Sequence, residues 1–198
     1  MKKFILTDET IEIFGVTLHR IKAVRSFGNV KEGDLGGFVE KEENISEDFE
    51  AWVWVNAKVS GNAIVSGNAI VSGNAIVSGN AEVSGDAKVS GNAKVWGDAI
   101  VSGNAEVWGD AIVSGNAEVS GDAKVWGDAD YIVFKNWWSS GRYFTWTRSN
   151  NMWSVGCFYG TGEELIKKAY ADSEKSGREY ERVVRFVESI MEDEKNEK

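Results

Sequence analysis

The chain holds one histidine and one cysteine, His19 and Cys157. Each is a side chain that could do chemistry near neutral pH, the imidazole as a general base and the thiolate as a nucleophile. A nucleophilic cysteine needs a base beside it, and the one imidazole stands in a separate strand-like segment near the start of the chain. Cys157, in the alternating run from Met152 to Tyr159, is therefore expected as a buried structural thiol, and His19 as a solvated or cap-packed residue. A third pattern is the recurrence of Asp86, Asp98, Asp110, Asp122 and Asp128, which invites comparison with calcium-binding glycine-rich repeats. Asn fills the same slot elsewhere and the GGxGxD signature is missing, so these residues are expected to hydrogen-bond at corners. No catalytic residue, cofactor or metal is expected.

The elements that position these residues are written in a six-residue unit. Residues 60 to 85 read SGNAIVSGNAIVSGNAIVSGNAEVSG. A flexible linker has no reason to hold an aliphatic residue in fixed phase, yet Val recurs every six residues from Val53 to Val125 and Ala holds the position two earlier from Ala51 to Ala129. Side chains alternate across a strand, so Ala and Val of each A-x-V triplet face one side and x the other. The intervening S-G-N/D is a corner, with Gly supplying positive φ and Asn or Asp bonding to nearby backbone. Units too small to bury a face alone must stack into a solenoid.

The outward residues fix the number of hexads per coil. With three, residues 18 apart stack as Trp52-Ile70-Lys88-Glu106-Lys124, Lys58-Ile76-Lys94-Ile112-Asp130 and Ile64-Glu82-Ile100-Glu118, and no like charges meet. With four, Glu82 would stack on Glu106 and Asp130, which is unfavourable. The reading is a mainly β protein: a triangular parallel β-helix of 18-residue coils over residues 50–130, an N-terminal β cap with an irregular first coil over 1–49, and a small C-terminal α+β domain over 131–198. In the last, Tyr131 to Phe134, Tyr143 to Arg148 and Met152 to Tyr159 read as three strands separated by the turns SSG and SNN. Two helices follow, with capping boxes at Thr161/Glu164 and Ser176/Glu179 and a fraying tail EDEKNEK.

The runs LHRIKAV, VKEGDLGGFVEKEENIS and AWVWVNAKVSGNA resemble the opening of bacterial and prophage hexapeptide-repeat proteins of the transferase or polymer-forming type. The resemblance covers residues 17–130, and GDLGGFVEKEENIS followed by the hexads is its most specific part. It implies a left-handed β-helix, which nothing in the spacing shows. GCFYGTGEEL resembles a C-terminal module of such prophage proteins. Hexapeptide-repeat acyltransferases need a histidine near the coils and a loop that breaks the repeat. Here the hexads run unbroken and His19 precedes them, so an acyltransferase-like enzyme is only the alternative reading. A self-assembling structural solenoid is another, opposed by the apparent caps at both ends.

A formal charge of −9 disfavours direct nucleic-acid binding and favours a basic protein partner. Residues 50–133 carry four Lys against ten Asp or Glu, roughly half the linear charge density of duplex DNA over a rod of about 22 Å, which makes DNA mimicry a weak reading. The early loss of apolar character at Asp8, the lone cysteine and the lack of a membrane-length apolar run point to the cytoplasm, the host's if the protein is phage-encoded. Two surfaces stand out as partner sites. Trp replaces the corner Ser at Trp54, Trp96, Trp108 and Trp126, and Trp108 and Trp126 stack, so this edge is either a partner surface or the floor under the C-terminal cap. Asp34, Glu40, Glu42, Glu43, Glu47 and Asp48 form an acidic shoulder. The expected function is a non-catalytic protein-binding scaffold, on the resemblance a phage or prophage protein that inhibits a host defence enzyme; a homodimer stays open.

Overall fold

The three-hexad coil follows from where the Ala and Val side chains go. In the computed structural model, which describes residues 2–136, 138 and 141–196, every Ala from Ala51 to Ala123 and every Val of the triplets from Val53 to Val125 points inward and is buried. Thirteen two-residue strands, β4 (Trp52–Val53) to β16 (Lys124–Val125), recur every six residues. Each of the first ten pairs in parallel with the strand 18 residues on, Lys88 opposite Glu106 and Ile100 opposite Glu118, so Glu82 and Glu106 lie on different faces. Three sheets result, and the solenoid is three-sided.

The corners hold φ near +70° at Gly61 through Gly121, a region glycine enters without strain. Beside them the Asn and Asp side chains form ladders along the rod. Asn62 Nδ2 donates to Asn80 Oδ1 at 3.2 Å and Asn80 Nδ2 to Asp98 Oδ1 at 2.9 Å. On a second edge Asn68 donates to Asp86, and on the third Asn92 donates to Asp110. Asp86, Asp98, Asp110 and Asp122 are thus corner hydrogen-bond acceptors, and the Asp128 side chain lies outside the described residues.

The backbone ladder has a direction. Ile100, Ser102 and Asn104 donate their N–H groups to the carbonyls of Ala117, Val119 and Gly121 in the following coil, at 2.8, 2.9 and 2.9 Å. Outside the paired strand residues, one end of the rod therefore shows mainly carbonyls and the other mainly N–H groups, while pairing within the strands bonds both ways. At the carbonyl end the chain supplies donors. Strands β1 (Phe4–Ile13), β2 (Val16–Ala23) and β3 (Leu35–Val39) form an antiparallel sheet whose last strand pairs in parallel with Lys58–Val59. Residues 36 and 37 must be glycine, because a Cβ on Gly37 would lie 2.4 Å from the Ala57 carbonyl and one on Gly36 2.5 Å from that of Val53. Lys3, fully buried, donates to Ser46 O at 2.5 Å and Ala51 O at 3.0 Å, and Arg20 to Gly36 O and Val55 O. Trp52, outward by position, is buried edge-on against Phe4 and Phe27 of this cap.

At the other end the chain supplies mainly acceptors, with Tyr131 Oη donating to the Ile112 carbonyl at 2.9 Å. Thr145 Oγ1 takes the Glu118 N–H at 2.9 Å, Ser149 Oγ that of Lys124 at 2.7 Å, and Asp130 Oδ2 those of Trp126 and Gly127 at 2.7 and 3.0 Å. The first two belong to or follow β18 (Tyr143–Thr147), which with β17 (Tyr131–Lys135), β19 (Met152–Val155) and β20 (Phe158–Gly160) makes a four-stranded antiparallel sheet. Helices α1 (Gly162–Asp172) and α2 (Glu174–Asn196) complete the domain around Phe144, Trp146, Trp153, Leu165, Val184 and Val187.

Three expectations are corrected here. The segment from Met152 to Tyr159 is a hairpin, broken at Gly156 with φ +59°, so the domain has four strands and Cys157 is exposed in the turn. Thr161 and Glu164 form the expected capping box, but α2 starts earlier than Ser176, and the cap hydroxyl is that of Ser173, which accepts the Ser176 N–H at 3.1 Å. The helix also continues through Asn196 instead of fraying at Glu192. Ser139 and Ser140 of the SSG turn, and Glu197 and Lys198 of the tail, lie outside the described residues.

Two outcomes are expected from this architecture. Asn80→Asp sets a carboxylate against Asp98 in place of an amide donor and should cost about 1 kcal/mol at neutral pH, with most of the loss recovered once both acids are protonated. Equal stability of the variant and the parent in urea at pH 7 would refute the ladder's role. Burial lowers the Lys3 ammonium from its ordinary 10.5 to about 8, against the pull of Glu47. Between these values the unfolded chain binds more protons, so stability rises with pH through the window, by about 3 kcal/mol in full. The stability of the parent relative to Lys3→Met should therefore increase from pH 8 towards 10.5; a constant difference would contradict it.

Candidate functional site

The corner position that carries Ser or Trp lies where two faces meet, so its side chain projects from an edge of the prism. Trp54, Trp108 and Trp126 share one edge with Ser72 and Ser90, between the face of Trp52, Ile70, Lys88, Glu106 and Lys124 and the face of Lys58, Ile76, Lys94 and Ile112. The Trp108 and Trp126 rings meet edge to face, centroids 5.2 Å apart at 70°, and are 39% and 59% exposed. The ladder holds both residues in place, for the Trp108 N–H donates to Val125 O and the Trp126 N–H to Asp130. This pair is the largest aromatic feature on the edge.

The other two tryptophans are not brought to it. Trp54 is half-buried at the far end of the same edge, its ring 6.3 Å from Trp52, and extends the core beneath the N-terminal cap. Trp96 is 51% exposed but stands on a different edge, with Ser60, Ser78 and Ser114.

The acidic shoulder is partly consumed by the fold. Glu47 accepts the Lys3 backbone N–H at 2.5 Å, Glu40 that of Gly61 at 2.6 Å, and Asp34 that of Lys31 at 2.8 Å. Glu42 pairs with Lys2 at 2.6 Å. Glu43 and Asp48 project into solvent. Four of the six carboxylates thus hold the irregular first coil together, and what reads as one charged surface is a set of local braces.

Residues that sequence reasoning passed over lie beside Trp126. A cleft of about 440 Å³ opens where the last coil meets the C-terminal domain, lined by Lys124, Trp126, Asp130, Arg148 and Ser149. Arg148 bridges the parts: Nε donates to Ala129 O at 3.1 Å, and Nη1 and Nη2 grip Glu194 of α2 at 2.7 and 3.0 Å. That grip raises the guanidinium pKa and keeps it charged. The only signal was its place at the end of a strand, next to the turn SNN. Glu118, whose backbone N–H donates to Thr145 of the C-terminal sheet, is desolvated and its carboxyl pKa raised by that burial.

His19 lies in β2, with Nδ1 3.3 Å from the Thr7 carbonyl oxygen, at the opposite end of the rod from Cys157. Among the described residues, no three or more His, Cys, Asp or Glu side chains converge to hold a metal ion, and no helix is long and apolar enough to cross a membrane.

No curated protein matches the chain. A family model described as the YdcK beta solenoid repeat matches residues 57–73, which corresponds to one coil of the rod. Over that coil the chain is similar to a β-solenoid repeat, and the stacked coils observed are what such a repeat builds.

Proposed function

We propose that this protein is a non-catalytic binding scaffold, a rigid rod closed at both ends that presents its Trp108–Trp126 edge to another protein. One observation carries the reading. At two successive turns of a repeat that elsewhere uses Ser, the chain places large aromatic side chains in mutual contact and leaves both exposed. Exposed aromatic pairs on a rigid support are the usual anchors of protein interfaces, and they are costly to leave uncovered. The C-terminal domain meets Trp126 at the cleft with Arg148 but leaves most of the ring free.

The finer form of this reading takes the resemblance to prophage hexapeptide-repeat proteins as its guide: a phage or prophage protein that acts in the host cytoplasm by occluding a host defence enzyme. The net charge of −9 and the free carboxylates Glu43 and Asp48 suit a partner with a basic surface at the N-terminal shoulder. The acyltransferase-like alternative is disfavoured by position, because His19 is engaged within the N-terminal sheet and Cys157 sits in an exposed turn of the distant domain.

Replacing both tryptophans by the residue that the repeat uses elsewhere tests the reading. Trp108→Ser with Trp126→Ser should abolish capture of the partner from host lysate while shifting Tm by less than about 2 °C, since exposed side chains contribute little to stability. His19→Ala and Cys157→Ser should leave capture unchanged. Capture that survives the double change, or is lost with either of the latter in a folded protein, would sink the proposal.

A further inference from the structure

The charges of the solenoid are sorted by face. All four of its lysines lie on the two faces that border the Trp edge: Lys58 and Lys94 on one side, Lys88 and Lys124 on the other. Against them on these faces and this edge stand Glu106, between Lys88 and Lys124 at 3.6 and 3.7 Å, Asp110, which accepts from Asn92, and Asp130, which accepts from the Trp126 and Gly127 N–H groups, while the Asp128 side chain lies outside the described residues. The third face and the two remaining edges carry Glu82, Glu118, Asp86, Asp98 and Asp122 and no lysine. An acidic protein thus gathers the lysines of its solenoid on the two faces that flank its aromatic edge. Lys94 has no ion pair or side-chain hydrogen bond among the described residues, and Lys58 bonds only to the Asn56 carbonyl. No carboxylate of the fold requires either ammonium where it is.

The cleft beside Trp126 repeats the arrangement at close range. Lys124 and Arg148 bring cationic groups to one wall and Ser149 a hydroxyl, while the Asp130 carboxylate is turned to the Trp126 and Gly127 N–H groups. We propose, resting on the binding function above, that the Trp108–Trp126 edge receives an acidic, apolar-containing segment of a partner protein, whose carboxylates meet Lys88, Lys94, Lys124 and the Arg148 cleft while its apolar side chains cover the indole pair. Lysines two rungs apart are separated by about 10 Å along the rod, and an extended peptide rises about 3.1 to 3.4 Å per residue. Carboxylates three residues apart therefore match the step.

The test selects a display library of random twelve-residue peptides against three immobilised proteins: the parent, Trp108→Ser/Trp126→Ser, and Lys88→Gln/Lys94→Gln/Lys124→Gln. Lys94→Gln alone serves as the conservative form, because that ammonium braces nothing. The parent should enrich peptides rich in Asp and Glu with an aromatic or aliphatic residue between them. Enrichment should vanish with the tryptophans, and the affinity of the selected peptides should fall tenfold or more with the triple change and measurably with Lys94→Gln. Peptides that need the tryptophans but are basic or show no charge bias overturn this inference and leave the binding function standing. No peptide favoured over the double-Trp variant overturns both. A fifteen-nucleotide oligothymidine that binds the edge more tightly than the selected peptides would make the occupant a nucleic acid. Self-association in sedimentation that is lost with the tryptophans would make it a second copy. Either result also overturns the proposal.

Discussion

A backbone ladder whose bonds run mainly one way governs this molecule. At the strand ends and corners each coil gives N–H groups to the next, while parallel pairing within the strands returns bonds the other way, so the two ends of the rod differ in the balance of donors and acceptors they leave. Water could satisfy an open end, but an open rung is also a template for another chain. The chain answers each end with the complementary chemistry. Lys3, Arg20 and Asn44 bring donors to carbonyls at the start, and Thr145, Ser149 and Asp130 bring acceptors to N–H groups at the finish. Burying Lys3 among carbonyls depresses its own affinity for a proton, which is the electrostatic cost of closing that end with an ammonium.

The same ladder decides where function can sit. The interior is filled by Ala and Val at every rung and has no room for a pocket, so the chemistry is confined to the outward positions, the edges and the seam with the C-terminal domain. Because every outward residue is tied to those 18 positions away, the pattern of single letters becomes a pattern of faces. Lys58 and Lys94 are far apart in sequence, yet one face presents both, and a short step around the corner reaches Lys88 and Lys124. The edge between them is the one with the tryptophan pair.

How much of this could be read in the sequence follows from how local each constraint is. The period, the inward Ala and Val, the three-fold stacking and the corner role of Asn and Asp are properties of a unit repeated more than a dozen times, so that small preferences add. Of the four tryptophans, the spacing of 18 paired Trp108 with Trp126, but not the burial of Trp54 against Trp52, which depends on where the N-terminal sheet folds over. Lys3 gave no signal, for a lysine near the start of a chain reads as solvated until Phe27 and the stretch from Ser46 to Ala51 close around it. Cys157 misled because an alternating run continues through it, and the reversal at Gly156 is visible only in its positive φ. The shoulder carboxylates looked like one surface because adjacency in sequence is not adjacency in space once a coil is irregular.

Near-identical hexads also bear on how such a gene can change length. Copying slips between similar units, gaining or losing whole hexads. In this fold one hexad is one side of the triangle, so a change of one or two copies turns everything downstream by a third or two thirds of a revolution. Such a slip ahead of Trp108 would carry Trp108, Trp126 and the C-terminal domain with them round to another edge relative to the N-terminal cap, and would change the stacking partners where the coils on either side of the slip meet. A change of three copies leaves each edge in line and lengthens the rod by one rung, about 4.8 Å. Length variants that persist in nature should therefore differ by multiples of 18 residues.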